Sequence, residues 1–196
     1  LRSLKTGKID YKNNRLLYLI LISTIPGVIA GLLLESQAES IFRQPLLVAS
    51  TVFTFGVVLL LAERFGKNKK LENLTANNAL LTGLAQAISI IPGVSRSGIT
   101  ISAGMFQGFS RETAAKFSFL ISIPIIAGAG LYKMVDMPAS AYQELSFWVG
   151  MGTAVIASFL SVKFLMSFVK NHSLQLFAYY RFLLAIIILL FYFYRS

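Results

Sequence analysis

The stretch IIPGVSRSGIT, Ile90–Thr100, decides how this chain is read. It sets an arginine, three hydroxyl side chains and a Pro-Gly pair between two strongly apolar segments. Before it lies Ala76–Ile91, about 16 residues; after it a run continues from about Ser97 to Phe109. As helices these would rise roughly 24 Å and about 18 Å, and neither reaches the ~30 Å hydrocarbon thickness of a bilayer. Two short helices meeting at Pro92-Gly93 place their turn near the midplane. Non-helical backbone at that depth is tolerated only inside protein or against a watery cavity. The spacing therefore predicts a re-entrant helical hairpin over about residues 76–109, with a polar tip lining a pocket.

The rest of the sequence fits a membrane setting. Of 196 residues, 56% are hydrophobic and 13% charged, against roughly 25% charged in an ordinary soluble domain. Mean hydropathy is +0.69. A single core of this size cannot hide that much apolar surface. Further long apolar runs lie at Leu16–Leu34, where Pro26-Gly27 predicts a kink, and at Pro45–Ala62, Thr113–Val135, Leu145–Val169 and Leu174–Tyr194. The expected fold class is an all-α polytopic membrane protein. It has about five transmembrane helices plus the hairpin, in one integral membrane domain over residues 1–196. No linker or defensible internal repeat stands out.

Net charge is +10, from 18 Lys and Arg against 8 Asp and Glu. In a soluble protein this would point to nucleic acid. Here the basic residues gather in short loops, which is the positive-inside pattern, and no nucleic-acid partner is expected. The leader (Arg2, Lys5, Lys8, Lys12 and Arg15 against Asp10) is expected inside. So are the loop holding Arg64, Lys67, Lys69 and Lys70, the junction at Arg111 and Lys116, and Lys170. The loops holding Glu35 and Glu39, and Asp136 and Glu144, then fall outside, and these acids read as solvated loop charges. The crossings alternate if the hairpin returns to its starting side. Neighbours Glu63/Arg64 and Arg111/Glu112 read as interfacial anchors.

Cysteine is absent, which excludes disulfides and thiolate sites, and the single His172, in a KNHS loop, allows no histidine cluster. The leader lacks the apolar core of a signal peptide. It reads as an interior loop, so the chain is expected to be the C-terminal part of something longer.

A buried arginine is expensive, at about 2.5–3.5 kcal/mol or more at the centre of a membrane helix, so Arg96 needs a partner. Its planar fork of donors suits carboxylate or phosphate. Ser95, Ser97 and Thr100 add hydroxyls. Gly93 and Gly98 would let backbone approach a ligand, and the N-terminus of the following helix points its free N–H groups into the same space. Together these make an anion site that suits phosphate. The structural alternative has the hydroxyls bonding neighbouring backbone and Arg96 paired with Glu63, Glu112 or another subunit.

PGVSRSGIT, preceded by GLAQAISII, resembles the second signature of the undecaprenyl-diphosphatase family, the bacitracin-resistance membrane phosphatases. The likeness extends to STIPGVIAGLL near the N-terminus and to FSFLISIPIIAGAG after the hairpin, and so covers essentially the whole chain. It implies the second half of an inverted-repeat fold with a re-entrant hairpin in each repeat. The implied activity is hydrolysis of undecaprenyl diphosphate to the monophosphate, at the outer face of the bacterial inner membrane, for recycling the cell-wall lipid carrier. By that resemblance Arg96 is catalytic, binding and polarising the diphosphate with Ser95, and Ser97 and Thr100 complete the substrate pocket, to which the residue reading adds Gly93 and Gly98 as substrate-binding. A divalent cation such as Mg or Ca is implied, with ligands outside this chain. Membrane lipids and a second copy of the chain are candidate partners. The family's first repeat carries an acidic motif, a Ser-rich loop and a His that this chain lacks, and the hairpin face Ala85, Gln86, Ser89 holds no carboxylate. The chain thus holds the phosphate-gripping half, and little hydrolysis is expected of it alone. Two other readings stay open: a polyprenyl-phosphate transporter or flippase, whose broken helices would also place an ion site at the midplane, and a non-catalytic subunit whose hairpin only packs.

The remaining features read as packing or anchoring. Gly150, Met151 and Gly152 suit close helix approach. Phe106, Phe109 and Phe117 read as core before lipid-tail groove. Tyr179, Tyr180 and the C-terminal FYFYRS suit an interfacial aromatic belt.

Overall fold

The computed structural model describes residues 11–40, 44–135 and 137–195. They form α1 (Tyr11–Glu39), α2 (Pro45–Glu63), α3 (Ala76–Ile88), α4 (Arg96–Phe106), α5 (Arg111–Val135), α6 (Leu145–Asn171) and α7 (Gln175–Arg195), with short 3-10 turns before α3 and α6. Five of these, α1, α2, α5, α6 and α7, are long and apolar enough to cross a membrane. The protein is an all-α polytopic membrane protein. α1 outruns the apolar segment Leu16–Leu34 and continues through Pro26 to Glu39, because Glu, Ser, Gln and Ala after Leu34 carry little helical penalty. Leader residues Arg2, Lys5, Lys8 and Asp10 lie outside the described residues, as do Asp136 and the side chains of Lys12, Glu35 and Glu39.

α3 and α4 have 13 and 11 residues, about 20 Å and 16 Å of helix. α3 starts at a capping box in which the Asn78 amide donates to Thr75 Oγ1 and the Thr75 amide to Asn78 Oδ1. It stops before Pro92, which has no N–H and disfavours helical backbone at Ile91. α4 starts at Ser95, whose Oγ accepts from the Gly98 amide at 3.3 Å. It ends at Gly108 (φ +85°), where the Phe109 amide donates to Gly104 O at 3.1 Å.

Both feet of this pair stand at the same end of the molecule. Asn78 Nδ2 donates to Gln107 Oε1 at 2.7 Å and Gln107 Nε2 to Thr82 Oγ1 at 3.1 Å. Backbone bonds between Lys69 and residues 108 and 110 pin the foot of α4. That end also gathers the start of α1, where Arg15 Nη2 donates to Leu74 O at 2.6 Å. Glu63 closes α2 there. It is paired with Arg111 of α5 at 2.7 Å and accepts the Leu174 amide at 2.8 Å. This differs from anchors made of sequence neighbours: adjacent residues on a helix do not face each other, so Glu63 binds Arg111 and Glu112 binds Lys170, at 3.5 Å.

Small residues let the short helices seat deeply. A Cβ on Gly83 would strike the Ser23 backbone of α1, and one on Gly104 would fall 2.8 Å from Ala114 Cβ of α5. Phe109 and Phe117 are buried in the core, whereas Phe106 is exposed, with the Phe65 ring 5.2 Å away. Gly150 and Gly152 have nothing within 4 Å of an added Cβ, and Met151 is exposed. The helix packing read there is thus not found among the described residues, since α6 packs mainly on α5 at its other end. His172 is exposed and stacks on Phe168.

Candidate anion site at the helix break

The break between α3 and α4, residues 89–95, lies against the middle of α2. Thr51 Oγ1 donates to Pro92 O at 2.7 Å. Gly93 (φ +90°) leaves no room for a side chain, because an added Cβ would meet Thr51 Oγ1 and Val48 O. Val52, beside it, is the eighth of the 19 residues of α2. At 1.5 Å per residue the tip therefore stands about 16 Å from the basic end and about 10 Å from the other.

The carbonyls of residues 91–95 are claimed. Arg181 of α7 is half-buried, and its Nη2 donates to Gly93 O and, at 3.2 Å, to Val94 O; its Nε donates to Val52 O at 3.2 Å. One guanidinium thus ties the break to both α2 and α7. The sequence reading passed over Arg181 as part of an apolar run. The signal was there nonetheless: an ionisable residue inside a membrane-spanning helix needs a partner.

Donors of Arg96 and Ser97, at the start of α4, are not claimed by the described residues. Arg96 is the first residue of α4, half-buried. Its Nη1 is fully buried, without a hydrogen-bond partner among the described residues. Glu63 and Glu112, the alternative partners, are engaged with Arg111 and Lys170. The amides of Arg96 and Ser97, in the first turn of α4, find no backbone acceptor among the described residues, as expected at a helix start. Ser95 is exposed and held at φ 67°, an unusual conformation for a residue with a side chain, which turns it outward at the cap. Ser97 and Gly98 are partly exposed, and the nearest neighbours of an added Gly98 Cβ are atoms of Ser95.

Ser95, Arg96, Ser97 and Gly98 thus follow one another round the open first turn of α4, with Ser95 exposed and Arg96 Nη1 turned inward. Thr100 and Gly93 lie apart from it. Thr100 is buried, with Oγ1 donating to Arg96 O at 2.8 Å and 2.6 Å from Ser118 Oγ of α5. Gly93 faces α2. Gln86 is buried against α1, where its Nε2 reaches Ser23 O at 3.4 Å, and its Oε1 has no partner among the described residues. No carboxylate or imidazole lies between Ser89 and Thr100. Among the described residues no group of three His, Cys, Asp or Glu side chains stands together, so a guanidinium and hydroxyls form a donor set that does not fit a divalent cation.

The chain is 45% identical over 183 residues to an undecaprenyl-diphosphatase of Moorella thermoacetica, covering 93% of this chain and 70% of that protein. It is 44% identical over 191 residues to one from Thermodesulfovibrio yellowstonii (96% and 74%) and 41% over 195 residues to one from Geobacter metallireducens (96% and 72%). The family model Bacitracin resistance protein BacA matches residues 1–187. A match of that extent places this chain in the bacitracin resistance protein BacA family.

Proposed function

We propose that the protein is an undecaprenyl-diphosphate phosphatase and that the helix break binds the diphosphate. The observation that carries this is the buried, unpartnered Nη1 of Arg96 beside the open first turn of α4. A cation so placed calls for an anionic partner, and the family's named members act on a lipid-linked diphosphate. The α3–α4 pair acts as a re-entrant hairpin of an inverted-repeat fold. Its tip is nearer the end opposite the basic one, which by the positive-inside rule is the outer face.

In this reading the terminal phosphoryl oxygens sit on Arg96, the Arg96 and Ser97 amides and the Ser95 and Ser97 hydroxyls. Water attacks the terminal phosphorus, the bridging P–O bond breaks, and the products are undecaprenyl phosphate and inorganic phosphate. Negative charge builds on oxygens already facing fixed donors, where preorganised electrostatics is worth most. These side chains hold and neutralise; none at the tip is a base. Thr100 with Ser118, Gly93 with α2, and Arg181 hold the turn in shape. The protein acts in the bacterial inner membrane.

The test is phosphate release from undecaprenyl diphosphate by the full-length protein in detergent, beside head-group movement in liposomes. Release that follows the tip donors supports the reading. Head-group transfer with no phosphate released would replace it with transport.

A further inference from the structure

A groove of about 610 Å³ runs between α5 and α6 at the basic end, away from the helix break. Its apolar wall includes Phe119, Ile123 and Met166, and its charged wall Lys116, Lys163 and Lys170. Glu112 also lines it but lies 3.5 Å from Lys170, so these two largely cancel. Lys116 and Lys163 are exposed and make no ion pair with any described residue. Lys163 stands eight residues before the end of α6, about 12 Å inside a membrane-spanning helix. A lysine at that depth reaches along the helix toward the interface, where lipid phosphates lie.

We infer that this groove binds an anionic membrane phospholipid of the leaflet at the basic end. The phosphate would lie between Lys116 and Lys163, and an acyl chain along Phe119, Ile123 and Met166. The apolar wall continues from the charged one, so it favours a lipid over a soluble phosphate. Basic pockets between transmembrane helices are a recognised way of holding such head groups.

The test is native mass spectrometry of the full-length protein in neutral detergent, titrated with dioleoylphosphatidylglycerol or dioleoylphosphatidylcholine. The wild type should retain the glycerol lipid in preference to the choline lipid. K116Q/K163Q should weaken that retention roughly 30-fold, about fivefold per lysine, while K116R/K163R should keep it. K67Q/K70Q, at the same end but outside the groove, should also keep it. Unchanged retention in K116Q/K163Q, equal retention of the two lipids by the wild type, or equal loss in K67Q/K70Q would overturn the assignment. So would displacement of the lipid by glycerol 3-phosphate at the same concentration. Arg96→Ala should bind the lipid as the wild type does, which separates this site from the helix break.

Discussion

Arg181→Met is the perturbation that best probes how the tip is held. Methionine keeps most of the apolar stem and removes the donors that reach Gly93 O, Val94 O and Val52 O. Hydrogen bonds between membrane helices average about 0.6 kcal/mol, whereas bonds to a charged donor in soluble proteins are worth about 1.5–3 kcal/mol. Three bonds therefore bracket the loss between roughly 2 kcal/mol and several more, with two tip carbonyls left unpaired. If about 2 kcal/mol of that falls on the geometry of the α4 N-terminus, kcat for phosphate release should drop at least tenfold. KM should change less, because the groups that meet the phosphate remain. The thermal midpoint in detergent should fall as well, and Arg181→Lys, with fewer donors and no fork, should lie between. Wild-type kcat with an unchanged midpoint would refute the claim that Arg181 positions the break.

Other substitutions separate the parts of the structure. Glu63→Gln breaks a partly buried charged pair with Arg111 and should cost about 1–3 kcal/mol of stability, read as lower thermal stability, with kcat of the surviving protein near wild type. Gly93→Ala forces a Cβ into Thr51 and Val48 at φ +90°, so phosphate release should fall at least tenfold, more than for Gly150→Ala, where space is open. Thr100→Val strands Ser118 Oγ and should lower thermal stability by the equivalent of about 1–3 kcal/mol, whereas Ser97→Ala should raise KM and leave stability alone.

Much of this architecture was legible because apolar length and Pro-Gly punctuation act locally. Pro92, Gly93 and the capping Ser95 stop one helix and start another whatever surrounds them, and the long apolar helices follow from composition. What could not be read is who meets whom. Glu63 and Arg111 are 48 residues apart, and nothing in either neighbourhood names the other; their sequence neighbours Arg64 and Glu112 looked equally eligible. Arg181 was hidden by the apolar run around it, although its charge alone demanded a partner. Gly93 reads from sequence like a glycine for a ligand, but its missing Cβ is filled by α2. Thr100 reads like a pocket hydroxyl, but four residues into α4 it turns inward onto Ser118. The motif marks the break; packing decides which of its residues face out.

The most direct measurement is phosphate release from undecaprenyl diphosphate by Arg96→Ala and Arg96→Lys, each beside its own thermal midpoint. Arg96 makes no side-chain bond to the described residues, so removing it should leave the midpoint at or above that of the wild type. Release should fall about 10²–10³-fold, the usual loss for a donor aimed at developing oxygen charge, and lysine should restore part of it as a point charge without a fork. Release at the wild-type rate by Arg96→Ala, or a collapse of its midpoint, would mean that the guanidinium serves the fold and not the phosphate.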